Sequence, residues 1–145
     1  MNSLPRTPEA YPWHIELQTR FGDMDVLAHI NNTSIAQMFE ETRVRYNQHL
    51  KEIIPGFQPF EFVIVHLAID FLAEGQYPAP VHMGQAITHI GTTSLRAGAA
   101  MFQQGKCIAL CESVLVHRSG GKSIPLPPSL RDRLAEMAIK TGDYT

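Results

Sequence analysis

One long helical segment, preceded by a single strand-like segment and followed by four more, is the feature that most restricts the fold. Residues 33–50 contain no glycine or proline, and a set of apolar and small side chains recurs there every three or four positions. This spacing places the set on one face of an α-helix. Its members are Ile35, Met38, Phe39, Thr42, Tyr46 and Leu50. Such a face must be buried against another element, and a sheet is the available one.

The segments around this helix alternate apolar and polar residues with the period of two that is typical of β-strands. They are residues 14–20 before the helix, and residues 61–72, 81–90, 94–104 and 106–117 after it. The odd positions from Val63 to Phe71 are all apolar, which predicts one face of that strand toward the core. The short turns between the later strands predict antiparallel pairing.

This order of elements predicts an α+β fold, in which a five-stranded antiparallel sheet wraps around one long central helix. A small C-terminal helix is expected around Leu130, Leu134 and Met137. A doubly wound sheet is excluded because the β-α-β alternation is missing, and no glycine-rich phosphate loop is present. Prolines and small polar residues predict a flexible lead-in over residues 1–12, followed by a single domain over residues 13–145.

The composition argues against several classes of function. Twelve basic and 14 acidic residues give a net charge of −2, so there is no basic field for nucleic acid and no polybasic membrane anchor. The most apolar run is interrupted by His66 and Asp70 and is too short to span a bilayer. The N-terminal residues lack the apolar segment of a secretory signal. With two cysteines that form no redox motif, we expect a cytoplasmic protein with reduced thiols.

Polar side chains are concentrated in residues 20–32, directly before the long helix. The stretch RFGDMDVLAHINN contains Asp23, Asp25, His29 and the pair Asn31 and Asn32. Asparagine is a favourable residue at the N-cap, so the start of the helix is well marked. A helix start offers free backbone N–H groups and a partial positive charge, which suit an oxygen atom that gains negative charge during a reaction.

This loop and the helix after it resemble the motifs of hotdog-fold acyl-CoA thioesterases, in particular the 4-hydroxybenzoyl-CoA thioesterase family. The family pattern R-[FY]-x-D-x-D-x-x-G-H-[VI]-N-N is matched from Arg20 to Asn32, with Ala28 in place of the usual glycine. Residues 39–43 resemble the F-E-E-[AS]-R run of the family helix. The resemblance covers about residues 13–130. It implies a hotdog fold and the hydrolysis of an acyl-CoA thioester, with no cofactor and no metal.

The resemblance also implies roles for individual residues of the loop. Asp25 corresponds to the catalytic carboxylate, and the backbone N–H of Asn32 to the donor that polarises the thioester carbonyl. Whether Asp25 attacks the carbonyl carbon or activates a water molecule stays open. His29 is a candidate donor to substrate or water, or else a histidine packed beside its own loop. Asp23 is interpreted as a loop-shaping acid, and the second candidate carboxylate is a helix residue, Glu41.

Further implications concern assembly and the substrate. Two copies are expected to join through the second strand into a homodimer, and such dimers can pair into a homotetramer. The acyl-pantetheine arm would pass between the subunits, in contact with Asn31, Val63, Val65 and His66. Arg96 would meet the anionic nucleotide of coenzyme A, although an ordinary surface charge is the alternative. The spacings of the strand histidines match no common zinc site.

Two other functions fit parts of the same pattern. A non-catalytic module could bind acyl thioesters in the same pocket without hydrolysing them. A hotdog hydratase or dehydratase usually carries a histidine and an acid on the central helix, whereas this helix has only His49, near its far end. The sequence therefore favours the thioesterase.

Overall fold

The computed structural model describes residues 4–140 and contains one antiparallel sheet, one long helix and one short helix. The strands are β1 (Trp13–Leu17), β2 (Phe62–Phe71), β3 (Val81–Ile90), β4 (Ser94–Gln103), β5 (Lys106–Ser119) and β6 (Lys122–Ser123); the helices are α1 (Asn32–Ile53) and α2 (Pro128–Ala135). The strand order is β1-β3-β4-β5-β2, and the two-residue strand β6 pairs with β5. The predicted α+β architecture is confirmed, with β6 as an addition.

Helix α1 lies on one face of the sheet and begins at the polar loop. The side chain of Asn31 caps it by accepting a hydrogen bond from the Thr33 N–H at 2.9 Å. The predicted apolar face is buried, and Ser34 joins it at the first turn. Thr42 is accommodated there because its hydroxyl donates to the Met38 carbonyl at 2.7 Å.

The core on this side of the sheet has two parts that follow the two halves of α1. The first half packs Ile35 and Phe39 against Met83 and Met101, near the end of β4. The second half packs Leu50 and its neighbours against residues at the other end of the sheet, where α2 also contributes Leu134. Within residues 4–140, neither helix is long and apolar enough to cross a membrane.

The opposite face of the sheet is covered by residues 4–12, which form most of the segment that the sequence predicts as a lead-in. Ala10 and Tyr11 are completely buried, and the Tyr11 hydroxyl donates to the Pro5 carbonyl at 2.7 Å. Gly84 makes room for this ring, since a Cβ at that position would lie 2.8 Å from it. Residues 1–3 of the predicted lead-in lie outside the described residues.

Strand β2 forms one edge of the sheet, and a bulge interrupts its alternation. Ile64 is opposite Leu115 while His66 is opposite Val114, so Val65 is an additional residue on β2. The prediction that every odd position faces the core is wrong. Before the bulge, the even residues Phe62 and Ile64 line the space beneath α1, and most of the odd residues of β2 are exposed. Several apolar side chains of β2 are 40–55% exposed; they are Val63, Ile64, Val65, Leu67 and Phe71.

Candidate active site

The loop before α1 is closed by contacts between its own backbone groups. Met24 and Ile30 form an isolated bridge, and the Asp25 N–H donates to the His29 carbonyl at 2.9 Å. The turn requires Ala28 to adopt a φ of 62°, the left-handed region that favours glycine. Ala28 is the position where the thioesterase pattern has glycine, so this departure carries a conformational cost.

The Asp25 carboxylate is held by this loop through one of its oxygen atoms. Oδ1 accepts hydrogen bonds from the N–H groups of Leu27 at 2.9 Å and His29 at 3.3 Å. Within residues 4–140, Oδ2 accepts no hydrogen bond. The loop thus fixes the orientation of the carboxylate and leaves one oxygen open.

Asp23 has a structural role, as predicted. It is 2% exposed, its carboxylate accepts from the Arg20 guanidinium at 2.9 Å, and the Arg20 N–H donates to the other oxygen at 2.8 Å. Burial alone would raise the pKa of Asp23, but the hydrogen bonds and charge of Arg20, with a hydrogen bond from Ser34, together lower that pKa below its usual value. Asp23 therefore ties the loop to the first turn of α1.

The start of α1 supplies open backbone donors next to this loop. Asn32 is the first residue of the helix, so its N–H has no acceptor within the helix, and the described chain provides none elsewhere. The neighbouring Thr33 N–H already donates a hydrogen bond to the side-chain oxygen of Asn31. His29 turns its ring toward Glu74, with 3.0 Å between Nε2 and Oε2. The loop thus brings together Asp25, His29, Asn31 and Asn32.

The other predicted substrate contacts do not join this group within one chain. Val63, Val65 and His66 lie on the exposed edge strand. Arg96 is near the start of β4, whereas the first half of α1 packs at the end of β4. The Arg96 guanidinium donates to Glu112 at 3.3 Å.

Glu41 lies on the outer side of α1, where it forms the expected surface pair. Its Oε2 accepts from Arg45 Nε at 2.7 Å, and both side chains are 49% exposed. Among the strand histidines, His117 is buried and lies 3.0 Å from Glu61. Residues 4–140 contain no group of three or more histidine, cysteine or acidic side chains placed to hold a metal ion.

A cavity of about 230 Å³ lies between the second half of α1 and the sheet. The small side chains of Ala97 and Ser113 leave this space, and the walls are mainly apolar, with Leu50, Phe62, Ile64, Ile87, Leu95 and Leu115 among them. Arg43 and Glu40 also line it. Asp25 and Asn32 do not line it, because they lie at the other end of the helix.

Two buried polar side chains of this cavity have atoms without a hydrogen-bond partner in the described chain. They are the Tyr46 hydroxyl and the Gln85 Oε1, and each residue is 2% exposed. Burial raises the pKa of Tyr46, so its hydroxyl stays a neutral donor. The helical spacing predicts Tyr46 only as core, and the sequence analysis does not identify Gln85. The sequence signal that could have identified Gln85 is its polar side chain in an otherwise apolar row of alternate residues, which is buried in the structure. The row consists of Val81, Met83, Gln85 and Ile87.

Comparison with known families identifies the type of protein. A family model described as the thioesterase-like superfamily matches residues 19–134, which include the polar loop, α1 and most of the sheet. The chain belongs to the thioesterase-like superfamily. The predicted relationship to hotdog thioesterases is therefore confirmed.

Solved structures related to this superfamily member share its fold over most of their length. A thioesterase of Thermus thermophilus, complexed with coenzyme A and Zn, is 29% identical, with a TM-score of 0.79 over 89% of this chain and 96% of that chain. A predicted thioesterase of Bacillus stearothermophilus is 26% identical, with a TM-score of 0.77 over 90% and 98% of the two chains. A thioesterase-superfamily protein of Jannaschia sp. CCS1 is 19% identical, with a TM-score of 0.74 over 96% and 98%, and supports the fold alone. A search of curated proteins gives no significant match.

Proposed function

We propose that this member of the thioesterase-like superfamily hydrolyses an acyl-CoA thioester to a free acid and coenzyme A. The observation that carries the proposal is the arrangement of the loop before α1. Asp25 presents one open carboxylate oxygen there, and the adjoining helix start presents the open N–H of Asn32. The relative from Thermus thermophilus, which is complexed with coenzyme A, supports this class of ligand.

In the proposed reaction, the Asn32 N–H donates a hydrogen bond to the thioester carbonyl oxygen and stabilises the negative charge that develops on it. Asp25 then follows one of two routes. It attacks the carbonyl carbon to form a mixed anhydride that water opens, or it takes a proton from a water molecule that attacks the carbon. In both routes the carbon–sulfur bond breaks, and the departing thiolate of coenzyme A takes up a proton. His29 is proposed as a donor to the substrate or to water.

A second copy of the chain is part of the proposal. An edge strand with exposed apolar side chains is a surface that proteins normally cover or pair. The loop before α1 adds Val26 and Leu27, which are 101% and 70% exposed. We propose a homodimer joined through β2, in which Val63, Val65 and His66 of one chain contact the substrate held by the other. Pairing of these dimers into a homotetramer, and contact of Arg96 with coenzyme A, belong to the same proposal.

The test is the release of free thiol from short, long and aromatic acyl-CoA substrates by the wild type and by Asp25→Asn. The asparagine Oδ1 can accept the same two loop hydrogen bonds, so we expect the fold to be kept and activity to fall by at least about 1,000-fold. Asp132→Asn, the same change on an exposed residue of α2, is the matched control and should keep full activity. Full activity of Asp25→Asn would overturn the role of Asp25.

One observation favours a second candidate, a module that binds acyl thioesters without hydrolysing them. Asp25 does not line the cavity beneath the second half of α1. The two hydrogen bonds of its Oδ1 are also those of a turn-forming residue. Measurable binding of acyl-CoA with no thiol release across the whole panel would favour this module. Thiol release that depends on Asp25 would exclude it.

A further inference from the structure

Two histidine side chains meet on the face of the sheet opposite α1. His14 Nδ1 lies 2.7 Å from His82 Nε2, and the two ring centroids are 4.8 Å apart. A hydrogen bond between two ring nitrogens requires a lone pair on one of them, so at least one imidazole of this pair is neutral. The two residues are 68 positions apart in the chain, so the spacing of histidines in the sequence does not reveal their contact. Neither residue has a part in the proposed hydrolysis.

The pairing of β1 with β3 holds the two histidines on this face. The residues on either side of each histidine pack in the core with α1, so the histidines point to the opposite face of the sheet. These flanking residues are Trp13, Ile15, Val81 and Met83. Both histidines are exposed to solvent, and the strands below them fix their Cα positions more precisely than a loop would.

A carboxylate lies next to the pair. Glu16 is directly opposite His82 in the register of β1 and β3, and it is two residues from His14 on the same face of β1. Glu16 and His82 also line one surface groove. The Glu16 carboxylate is exposed and forms no ion pair within residues 4–140, so its side chain is free to rotate. Side chains directly opposite each other on paired strands have Cβ atoms about 5 Å apart, which is within reach of a glutamate.

The charges around the pair do not oppose a cation. Glu9 and Lys140 both lie close enough to His14 to act on its charge, and their opposite charges offset each other. Glu16 then adds a negative charge to a site whose other members are imidazoles.

The distance between the two nitrogens is close to that required around a metal ion. Zn²⁺ binds histidine nitrogen at about 2.0–2.1 Å, so two imidazoles at a tetrahedral ion have nitrogens about 3.3 Å apart. His14 and His82 need to separate by only about 0.6 Å from their present distance, which two exposed side chains can do. Two imidazoles and one carboxylate suit Zn²⁺ and other late first-row divalent ions, whereas Mg²⁺ and Ca²⁺ prefer sets of oxygen ligands.

We propose that His14, His82 and Glu16 form a binding site for a divalent transition-metal ion such as Zn²⁺, on the outer face of the sheet. Two ligands are in place in the structure. Glu16 becomes the third by rotation of its side chain, which is why no complete group of three is found within residues 4–140. Water takes the fourth tetrahedral position. The site goes beyond thioester hydrolysis and does not depend on it.

The experiment is a calorimetric titration of the metal-free full chain with Zn²⁺ near neutral pH. We expect one ion to bind per chain. His14→Ala, His82→Ala and Glu16→Gln should each weaken binding at least about tenfold, since loss of even an outer-shell partner of a metal ligand costs roughly ten- to a hundredfold. Equal affinity for Zn²⁺ in the wild type and in any of these three variants would overturn the three-ligand site, and so would tighter binding of Mg²⁺ than of Zn²⁺.

His89→Ala is the matched control. It removes another exposed histidine from the same strand, β3, and its affinity for Zn²⁺ should equal that of the wild type. A loss of affinity in His89→Ala as large as that in His82→Ala would contradict a specific site at the pair.

Thermal unfolding gives a second measurement. An ion that binds only the folded chain raises its Tm, by roughly 5–10 °C for a domain of this size at about 100 times the Kd. We expect this rise in the wild type and in His89→Ala, and no rise in His14→Ala or His82→Ala at the same Zn²⁺ concentration. An equal rise in all four proteins would mean that the ion binds elsewhere. Neither measurement uses acyl-CoA, so the metal site and the thioesterase activity are tested independently.

Discussion

At the scale of single residues, the two acids of the loop before α1 have different surroundings. Asp23 is buried and bound on both oxygens by Arg20, whereas Asp25 is partly exposed and has one open oxygen. The resemblance to the thioesterase pattern assigns the catalytic role to the second acid of D-x-D, and the burial of Asp23 agrees with a structural role for the first. The resemblance could not predict the contact of Asp23 with Ser34, because that depends on how the loop meets the helix.

Ala28 provides a test of conformational cost in this loop. Its φ of 62° is unfavourable for a residue with a Cβ, so Ala28→Gly should raise the free energy of unfolding by about 1 kcal/mol. Urea denaturation measures this change. Ala36→Gly, inside α1, is the control and should lower the free energy of unfolding by about 1 kcal/mol. A loss of stability in both variants would mean that the loop does not hold Ala28 in this conformation.

The lowered pKa of Asp23 predicts that the free energy of unfolding depends on pH. Because its pKa is lowered in the folded state, its contribution is fully present above the unfolded pKa of about 4 and is lost as the pH falls through the lower folded value. Asp23→Asn should therefore lower the free energy of unfolding at pH 6 by about 1–2 kcal/mol, a range reduced for the exposure of Arg20.

Urea denaturation from pH 6 to pH 3 measures the difference between wild type and Asp23→Asn, which should shrink below about pH 4. The double variant with Arg20→Gln serves as a further check. Its loss of stability should be smaller than the sum of the two single losses, since both remove the same contact. A constant difference across this pH range would argue against a lowered pKa of Asp23.

At the scale of elements, local periodicity predicted the helices and strands well, and it failed where a partner strand decides the geometry. The buried face of α1 follows from spacing within a single segment. The bulge at Val65 depends on the register of β2 against β5, which lies far along the chain, so alternation within β2 could not reveal it. Apolar side chains on both sides of the bulge are exposed along the edge that we propose for dimerisation.

Leu67→Glu tests this edge. Leu67 is 44% exposed in one chain, so the charge should be tolerated by the folded monomer but not in a buried interface between β2 strands. We expect the wild type to sediment as a dimer or a larger assembly and Leu67→Glu as a monomer with little thioesterase activity. Thr92→Glu, in the turn between β3 and β4, adds the same charge and should leave assembly unchanged. A monomeric wild type with full activity would reject the dimer.

At the scale of the whole molecule, the order of elements was predictable because each element carries its own pattern. The coverage of the outer sheet face and the cavity were not, since both arise from contacts between distant segments. Tyr11 is buried because Gly84 lacks a side chain, and the cavity exists because Ala97 and Ser113 are small. None of these four residues stands out within its own segment. Gln85, which also lines the cavity, does stand out, because it is the polar member of a buried row.

The exposed edge strand β2 has a genetic consequence in the proposed dimer. Each reaction centre would take its carboxylate from one gene product and its β2 contacts from the other. In a cell that expresses two alleles, one defective at Asp25 and one defective at these β2 contacts, mixed dimers would regain one intact centre out of two. The two classes of defect would therefore complement each other, whereas two different defects within the loop would not.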